Sequence, residues 1–120
     1  MHTDEITKLI LASAFEVSNT LGCGFLEKVY ERALLHEIRS HGLRARAQVS
    51  VRVNYKGCVV GDYFADLIVE DEIVVELKCV ERFAPEHLAQ CINHLKAANL
   101  KVALMLNFQH PKLAWKRVAK

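Results

Sequence analysis

The chain has 120 residues, of which 52% are hydrophobic and 25% charged; that is enough apolar mass for one packed core, and the chain is short for two. Sixteen Lys and Arg stand against 14 Asp and Glu, a formal net charge of +2, which allows a polyanionic partner without demanding one and excludes a disordered chain. No apolar run approaches the ~20 residues of a membrane span, and the acidic start, interrupted by Glu16, is unlike a secretory leader, so a soluble, cytoplasmic protein is expected, with one domain over 1–120.

A first helix is expected from Thr3 or Asp4, either of which could cap it, because Ile6, Leu9, Ile10, Ala14, Val17 and Leu21 recur at helical spacing. Gly22-Cys23-Gly24 breaks it. A second helix is expected over 26–40, closed by Gly42. The period then changes to two: Val49, Val51 and Val53 alternate with Ser50, Arg52 and Asn54, which reads as a strand. Lys56-Gly57 is a turn, and strands over 59–69 and 73–80 are joined at Glu70-Asp71-Glu72. Pro85 suits the first turn of a third helix running to 99. VALMLNF reads as a compact apolar strand and KLAWKRVA as an edge strand. The order α-α-β-β-β-α-β-β predicts an α/β domain with a mixed central sheet flanked by helices.

Cys23, Cys58, Cys79 and Cys91 show no CxxC spacing, which argues against a zinc ribbon or redox pair; they are expected to be reduced and mostly small core residues. Basic residues gather in LRARAQVSVRV (Arg44, Arg46, Arg52) and in the last nine residues (Lys112, Lys116, Arg117, Lys120). They fit either phosphate contacts or strand edges kept charged against aggregation.

The stretch LGCGFLEKVYERAL carries Gly22 and Gly24 ahead of a helix. It is not a dinucleotide cradle: the glycines follow a helix rather than a strand, and Glu27 stands where the third glycine belongs and would repel a pyrophosphate. On a wheel at ~100° per residue, Leu26, Val29, Tyr30, Ala33, Leu34 and Ile38 form the apolar stripe of the second helix. Glu27 falls between Leu34 and Ile38, just inside its edge. A carboxylate there is costly unless it is paired or bound to a metal.

In YFADLIVEDEIVVELKCV, Phe64, Asp66 and Ile68 share one face of their strand by alternation, as do Val74, Glu76, Lys78 and Val80 of the next. If Glu70-Asp71-Glu72 is a three-residue loop, Val69 pairs with Ile73, Asp66 lies opposite Glu76, and Phe64 lies opposite Lys78. Facing carboxylates repel. A divalent cation between them removes the conflict, and hard oxygen ligands suit Mg²⁺ or Mn²⁺. The alternative is a salt-bridge network in which Lys78 neutralises the acids, but one lysine for two acids leaves a charge over. The third helix has the apolar stripe Leu88, Cys91, Ile92 and Leu95. His87, Gln90 and His94 gather on its other side, a face that reads as solvated when taken alone.

Gly24-Phe25-Leu26-Glu27-Lys28-Val29-Tyr30 resembles the signature of the GxxExxY protein family, and the resemblance continues through FADLIVEDEIVVELK, AQCINHLK and LMLNF, in order over nearly the whole chain. That family resembles a branch of the PD-(D/E)xK nuclease superfamily close to the RecB-type arrangement. The resemblance implies a restriction-endonuclease-like core. It maps the helical acid to Glu27, the acid of the PD motif to Asp66, the ExK pair to Glu76 and Lys78, and the glutamine of a QxxxY motif to Gln90. Ala65 stands where proline is frequent, and His94 stands where the tyrosine belongs.

The function so implied is Mg²⁺- or Mn²⁺-dependent hydrolysis of phosphodiester bonds in DNA or RNA. Asp66, Glu76 and Glu27 would hold the ion, with the Leu77 carbonyl as a further ligand. Lys78 would position or deprotonate the attacking water or stabilise transition-state charge, and Gln90 would orient the lysine, the water or a phosphate. A homodimer is compatible with so small a nuclease core. The competing readings are a non-catalytic module that binds nucleic acid or protein on a nuclease fold, and a structural role in which the acids only pair with Lys78.

Overall fold

The computed structural model describes residues 2–120. Its elements follow the expected order: α1 (Thr3–Leu21), α2 (Glu27–Ser40), β1 (Ala45–Tyr55), β2 (Cys58–Val69), β3 (Ile73–Lys78), α3 (Pro85–Ala98), β4 (Val102–Asn107) and β5 (Ala114–Ala119). The strands form one mixed sheet in the order β1-β2-β3-β4-β5. All neighbours are antiparallel except β3 and β4, which are parallel and joined through α3. This is the α/β architecture expected of a restriction-endonuclease-like core. Among the described residues no helix is long and apolar enough to cross a membrane.

Helices cover both faces of the sheet. Ile6, Ile10, Ala14 and Val17 of α1 and Tyr30, Leu34 and Ile38 of α2 pack with Ile73, Val75 and Leu77 of β3 and Leu104 and Leu106 of β4. On the other face, Cys91 and Leu95 of α3 pack with Val74, Ala103 and Met105. A strand buried on both faces reads as a continuous apolar run. In β3 that run, Ile-Val-Val-Glu-Leu-Lys, is interrupted only by Glu76 and Lys78.

Several local expectations are corrected. Neither Thr3 nor Asp4 caps α1: the cap position is His2, without a side-chain cap bond, and Thr3 Oγ1 instead donates to Glu72. Leu26 and Val29 lie outside the core, Leu26 being 79% exposed, because the row of α2 that meets the core is the narrower set Tyr30, Leu34 and Ile38. Of the cysteines only Cys91 is buried; Cys23 and Cys58 are exposed, and all are free thiols. Strand β1 begins at Ala45, earlier than the valine alternation suggested, since Ala45 already pairs with Val69.

The expected register of the β2–β3 hairpin holds: Val69 pairs with Ile73, Ile68 with Val74 and Leu67 with Val75. The ladder then stops, one pair short of Asp66 and Glu76. At the same level β1 and β2 both rotate. Ala47 and Leu67 pack on the α1/α2 side, yet Val49, Ala65 and Tyr63 pack on the α3 side, although simple alternation would leave all odd-numbered residues on one face. Phe64 and Ile68 therefore do not share a face, and Phe64 is 58% exposed rather than set against Lys78. The residue between Ala47 and Val49 is Gln48, with φ 52°. A side chain with a Cβ in that region costs on the order of 1–3 kcal/mol and persists only where the surroundings impose it.

The turn between α1 and α2 has an equally specific cause. Gly22 and Gly24 take φ of 72° and 106°, conformations that glycine alone adopts cheaply. The buried Tyr30 locks the turn. Its hydroxyl donates to the Gly22 carbonyl at 2.6 Å and accepts from the Phe25 amide at 3.2 Å, and its ring stacks on Phe108 with centroids 4.7 Å apart. Glycine and tyrosine of the GxxExxY stretch thus set the start of α2, whose first residue is Glu27. Tyr30→Phe keeps the ring but strands a carbonyl and an amide; it is expected to lower stability by about 1–3 kcal/mol, read as a lower urea midpoint at unchanged m-value.

Candidate functional site

The place where β2 leaves β3 organises the site. A strand residue presents its amide and carbonyl to the same neighbouring strand. Ile73, Val75 and Leu77 face β2, whereas Lys78 faces β4, its carbonyl accepting from the Phe108 amide at 3.0 Å. Past the Leu67–Val75 pair, Leu77 has no backbone partner on β2. The Asp66 carboxylate takes that role, Oδ2 accepting from the Leu77 amide at 2.8 Å. Asp66 is thereby held at the mouth of a gap in the sheet, and the Leu77 carbonyl faces the same gap.

Charged groups reach the gap from both faces. From β3 comes Glu76, a buried carboxylate at 7% exposure. Since a carboxylate can only accept, His94 of α3 donates from Nδ1 to Glu76 Oε1 at 2.8 Å. The His94 ring stacks on Tyr63 with centroids 3.8 Å apart, and its carbonyl accepts from the Tyr63 hydroxyl at 2.7 Å. From α2 come Glu27 and, one turn later, Glu31. Glu27 is partly covered yet still more than a third exposed, whereas Glu31 is 5% exposed. Glu31 Oε2 accepts from Lys28 at 3.0 Å and Oε1 from the Gln48 amide at 2.6 Å. The same Gln48 nitrogen lies 3.5 Å from Asp66 Oδ1.

The electrostatics express this crowding. Burial, and then the negative charges of Glu76, Glu27 and Glu31, push Asp66 up from 3.8 to about 6, against the Leu77 amide, which favours the anion. Burial also raises Glu27; Lys78 and Lys28 draw it down, and Glu31 and Glu76 push it up. Burial, followed by Glu76, raises both Tyr63 and the Cys91 thiol to about 12. Lys78 acts on both Glu27 and Cys91 and lines a small recess with Glu76, His87, Gln90 and His94. Among the described residues it forms no ion pair. Of the polar side of α3, His87 turns back to its own helix start, accepting from the Ala84 amide at 2.9 Å, and Gln90 is exposed at the rim of the recess.

A model of the PD-(D/E)XK nuclease superfamily matches residues 4–118. This chain belongs to that superfamily. None of the curated proteins matches it. Its fold is similar to the crystal structure of SSO0001, with a TM-score of 0.59 at 17% identity, over 78% of this chain and 50% of that one. The likeness is one of fold, and the chain spans about half of SSO0001.

For this PD-(D/E)XK domain the donor set around the gap is all oxygen, which fits Mg²⁺ or Mn²⁺ better than zinc or copper, and the four carboxylates Glu27, Glu31, Asp66 and Glu76 outnumber the lysines Lys28 and Lys78 that act among them. The side chains are not drawn together as a finished cage: among the described residues no group of three or more His, Cys, Asp or Glu side chains is placed to hold a metal ion. Asp66 is turned to the Leu77 amide and Glu76 to His94. Of the residues singled out from the sequence, Glu27 is within electrostatic reach of Asp66, Glu76 and Lys78, and Asp66 of Glu76; Gln90 borders Glu76 and Lys78.

Sequence reasoning missed Glu31, Gln48 and the pairing of His94. The wheel that singled out Glu27 also carried Glu31, four residues on and on the same face. His94 lies four residues after Gln90, at the tyrosine position of the motif. Gln48 gave no signal, because in an alternating strand it reads as an outward residue.

Asp66 holds its proton more tightly folded than unfolded. Between pH 3.8 and about 6 the folded state binds more protons, so stability falls as pH rises through that window. Metal-free Asp66→Asn is expected to lack this fall. It should match the wild type near the lower end of the window and exceed it at pH 7 by at most roughly 3 kcal/mol, the equivalent of about two units, less what solvent screening removes. Urea unfolding across pH, comparing the two proteins, checks both the sign and the window.

Proposed function

We propose that this domain hydrolyses phosphodiester bonds of nucleic acid, DNA or RNA, with the help of a divalent cation. The observation that supports the proposal is the parting of β2 from β3 after the Leu67–Val75 pair, where the Asp66 carboxylate accepts from the Leu77 amide and feels the charges of Glu76 and Glu27, while Lys78 acts on Glu27. Glu27, Asp66, Glu76 and the Leu77 carbonyl are the groups that would hold Mg²⁺ or Mn²⁺. Such an ion supplies polarisation of a phosphoryl oxygen and a bound water of lowered pKa.

The chain's own groups divide the remaining work. The Lys78 ammonium, without an ion pair among the described residues, meets negative charge developing on the phosphoryl oxygens, or in its neutral form accepts a proton from the attacking water. The Gln90 carboxamide, at the rim of the recess, orients the lysine or a phosphate oxygen. His94 keeps one Glu76 oxygen in place. The basic segments lie on opposite edges of the sheet, β1 and β5. There Arg44 and Arg46 pair with Glu70 and Asp71, and Arg117 with Asp4, so these segments serve strand edges first and phosphates second.

A second reading, a non-catalytic module that binds nucleic acid or protein, draws on the absence of a finished metal cage among the described residues. The two readings separate experimentally. Under the first, Mg²⁺ or Mn²⁺ raises the Tm of the wild type, since a ligand of the folded state stabilises it, and the wild type cleaves labelled single- or double-stranded DNA or RNA. Lys78→Ala keeps the metal-induced shift, because a protonated lysine is not a ligand, and loses ~100-fold or more in cleavage rate. Glu76→Ala loses both. Wild-type protein that binds nucleic acid without metal and cleaves none of the four substrates supports the second reading. A Lys78→Ala protein that cleaves at the wild-type rate removes the lysine from the mechanism.

A further inference from the structure

We propose that Gln48 is a positioning residue: its carboxamide, anchored on Glu31, holds the Asp66 carboxylate in the orientation that a divalent cation requires. The inference rests on the reading above in which Asp66 is a ligand of that cation.

The geometry is specific. Glu31 and Asp66 are acceptors only when ionised, so a group between them must be a donor. The Gln48 nitrogen is that donor, 2.6 Å from Glu31 Oε1 and 3.5 Å from Asp66 Oδ1. Each carboxylate is tied down at its other oxygen, Glu31 by Lys28 and Asp66 by the Leu77 amide. The chain Lys28–Glu31–Gln48–Asp66–Leu77 thus joins α2, β1, β2 and β3 across the gap.

The backbone of β1 is bent to make this possible. Ala47 packs on the α1/α2 side, so in a regular strand Gln48 would point away from α2. With φ at 52°, Gln48 joins Ala47 in serving the α2 side, and Val49 continues on the α3 side. Glycine accepts a positive φ without strain, and asparagine accepts it more readily than most residues. Glycine carries no amide, however, and asparagine is one methylene short of the span from β1 to Glu31. A strained backbone at the edge of a candidate site, occupied by a residue whose length the span needs, points to a role in the site rather than in the sheet.

The test uses the full chain and Mn²⁺ as probe, with affinity measured calorimetrically well below each protein's Tm. In Gln48→Gly and Gln48→Asn the relief of backbone strain is set against the lost donor to the buried Glu31, so their metal-free Tm is expected to stay near that of the wild type. They are expected to bind Mn²⁺ 10–100-fold more weakly, the usual effect of removing an outer partner of a metal ligand. Glu31→Gln keeps an oxygen that accepts from the Gln48 amide but removes one negative charge near Asp66, so it should lose clearly less affinity than the Gln48 variants. Wild-type Mn²⁺ affinity in both Gln48 variants, with or without a lowered Tm, overturns the inference and leaves Gln48 a residue of the sheet alone. Affinity lost in Glu31→Gln as fully as in the Gln48 variants overturns the anchoring role, since the Glu31 charge would then act directly. A wild type that binds no Mn²⁺ refutes the metal reading itself and this inference with it, an outcome distinct from wild-type binding that the variants share.

Discussion

One bond holds the candidate site together: the Leu77 amide donating to Asp66. It exists because β2 and β3 separate after the Leu67–Val75 pair. A buried amide left without a partner costs about 1–3 kcal/mol, so a sheet cannot part in its interior unless something replaces the lost ladder bond. Here a carboxylate replaces it. The exchange satisfies the amide, opens the centre of the sheet and turns an acid toward the opening in one step. It also gives β3 its two characters. Ile73 to Val75 are ordinary central-strand residues, while Glu76, Leu77 and Lys78 border a gap.

The cost of that arrangement is electrostatic. Asp66 and Glu27 each lie within reach of Glu31, Glu76 and one another, and among the described residues Lys78 is the cation that acts from the strand side. The pKa of Asp66 is raised first by its burial and then by these neighbouring negative charges. Neighbouring groups accommodate Glu76 without neutralising the site. His94 donates to it, Tyr63 stacks on His94, and the Cys91 thiol beside it is pushed up to about 12. Acids crowded in this way are poor contributors to folding as bare carboxylates and good ones to the capture of a hard cation. The negative balance at the gap and the oxygen-only donor set are therefore two sides of the same design.

The helical side is fixed by a different kind of contact. Tyr30 binds the Gly22 carbonyl and the Phe25 amide while its ring lies on Phe108, so the start of α2 is tied to the end of α1 and to the segment following β4. That tie places Glu27 in the first turn of α2 and brings Glu31 inward one turn later. From there Glu31 meets Gln48, and the β1–β2 hairpin is drawn to the same place. Residues far apart along the chain act on one gap because the elements that carry them are each anchored to the sheet beside it.

Much of this was legible in the residues themselves. Element order follows from local signals: apolar period 3.6 in the helices, period 2 and continuous apolar runs in the strands, and glycine, proline and acidic turns between them. The Val69–Ile73 register follows from the short loop Glu70-Asp71-Glu72, since loop length sets pairing. Asp66, Glu76 and Lys78 stood out because ionisable residues inside an otherwise apolar strand conflict with its burial. What tertiary structure alone decided is where local regularity breaks. Alternation counted through Asp66 puts Phe64 and Ile68 on one face, which fails because β1 and β2 both rotate at this level, where Gln48 has a left-handed backbone and meets Glu31 of another element. No local pattern foretells that contact. The wheel marked Leu26 and Val29 as core, yet burial depends on which elements lie opposite, and the core meets the row of Tyr30, Leu34 and Ile38. His94 read as a solvated residue until α3 was laid across the sheet and brought it to Glu76. Periodicity and turn chemistry are properties of neighbours in sequence, so the sequence by itself determined the elements and their order; the partners of Asp66, Glu31 and His94 lie on other elements, and only packing decides which elements meet.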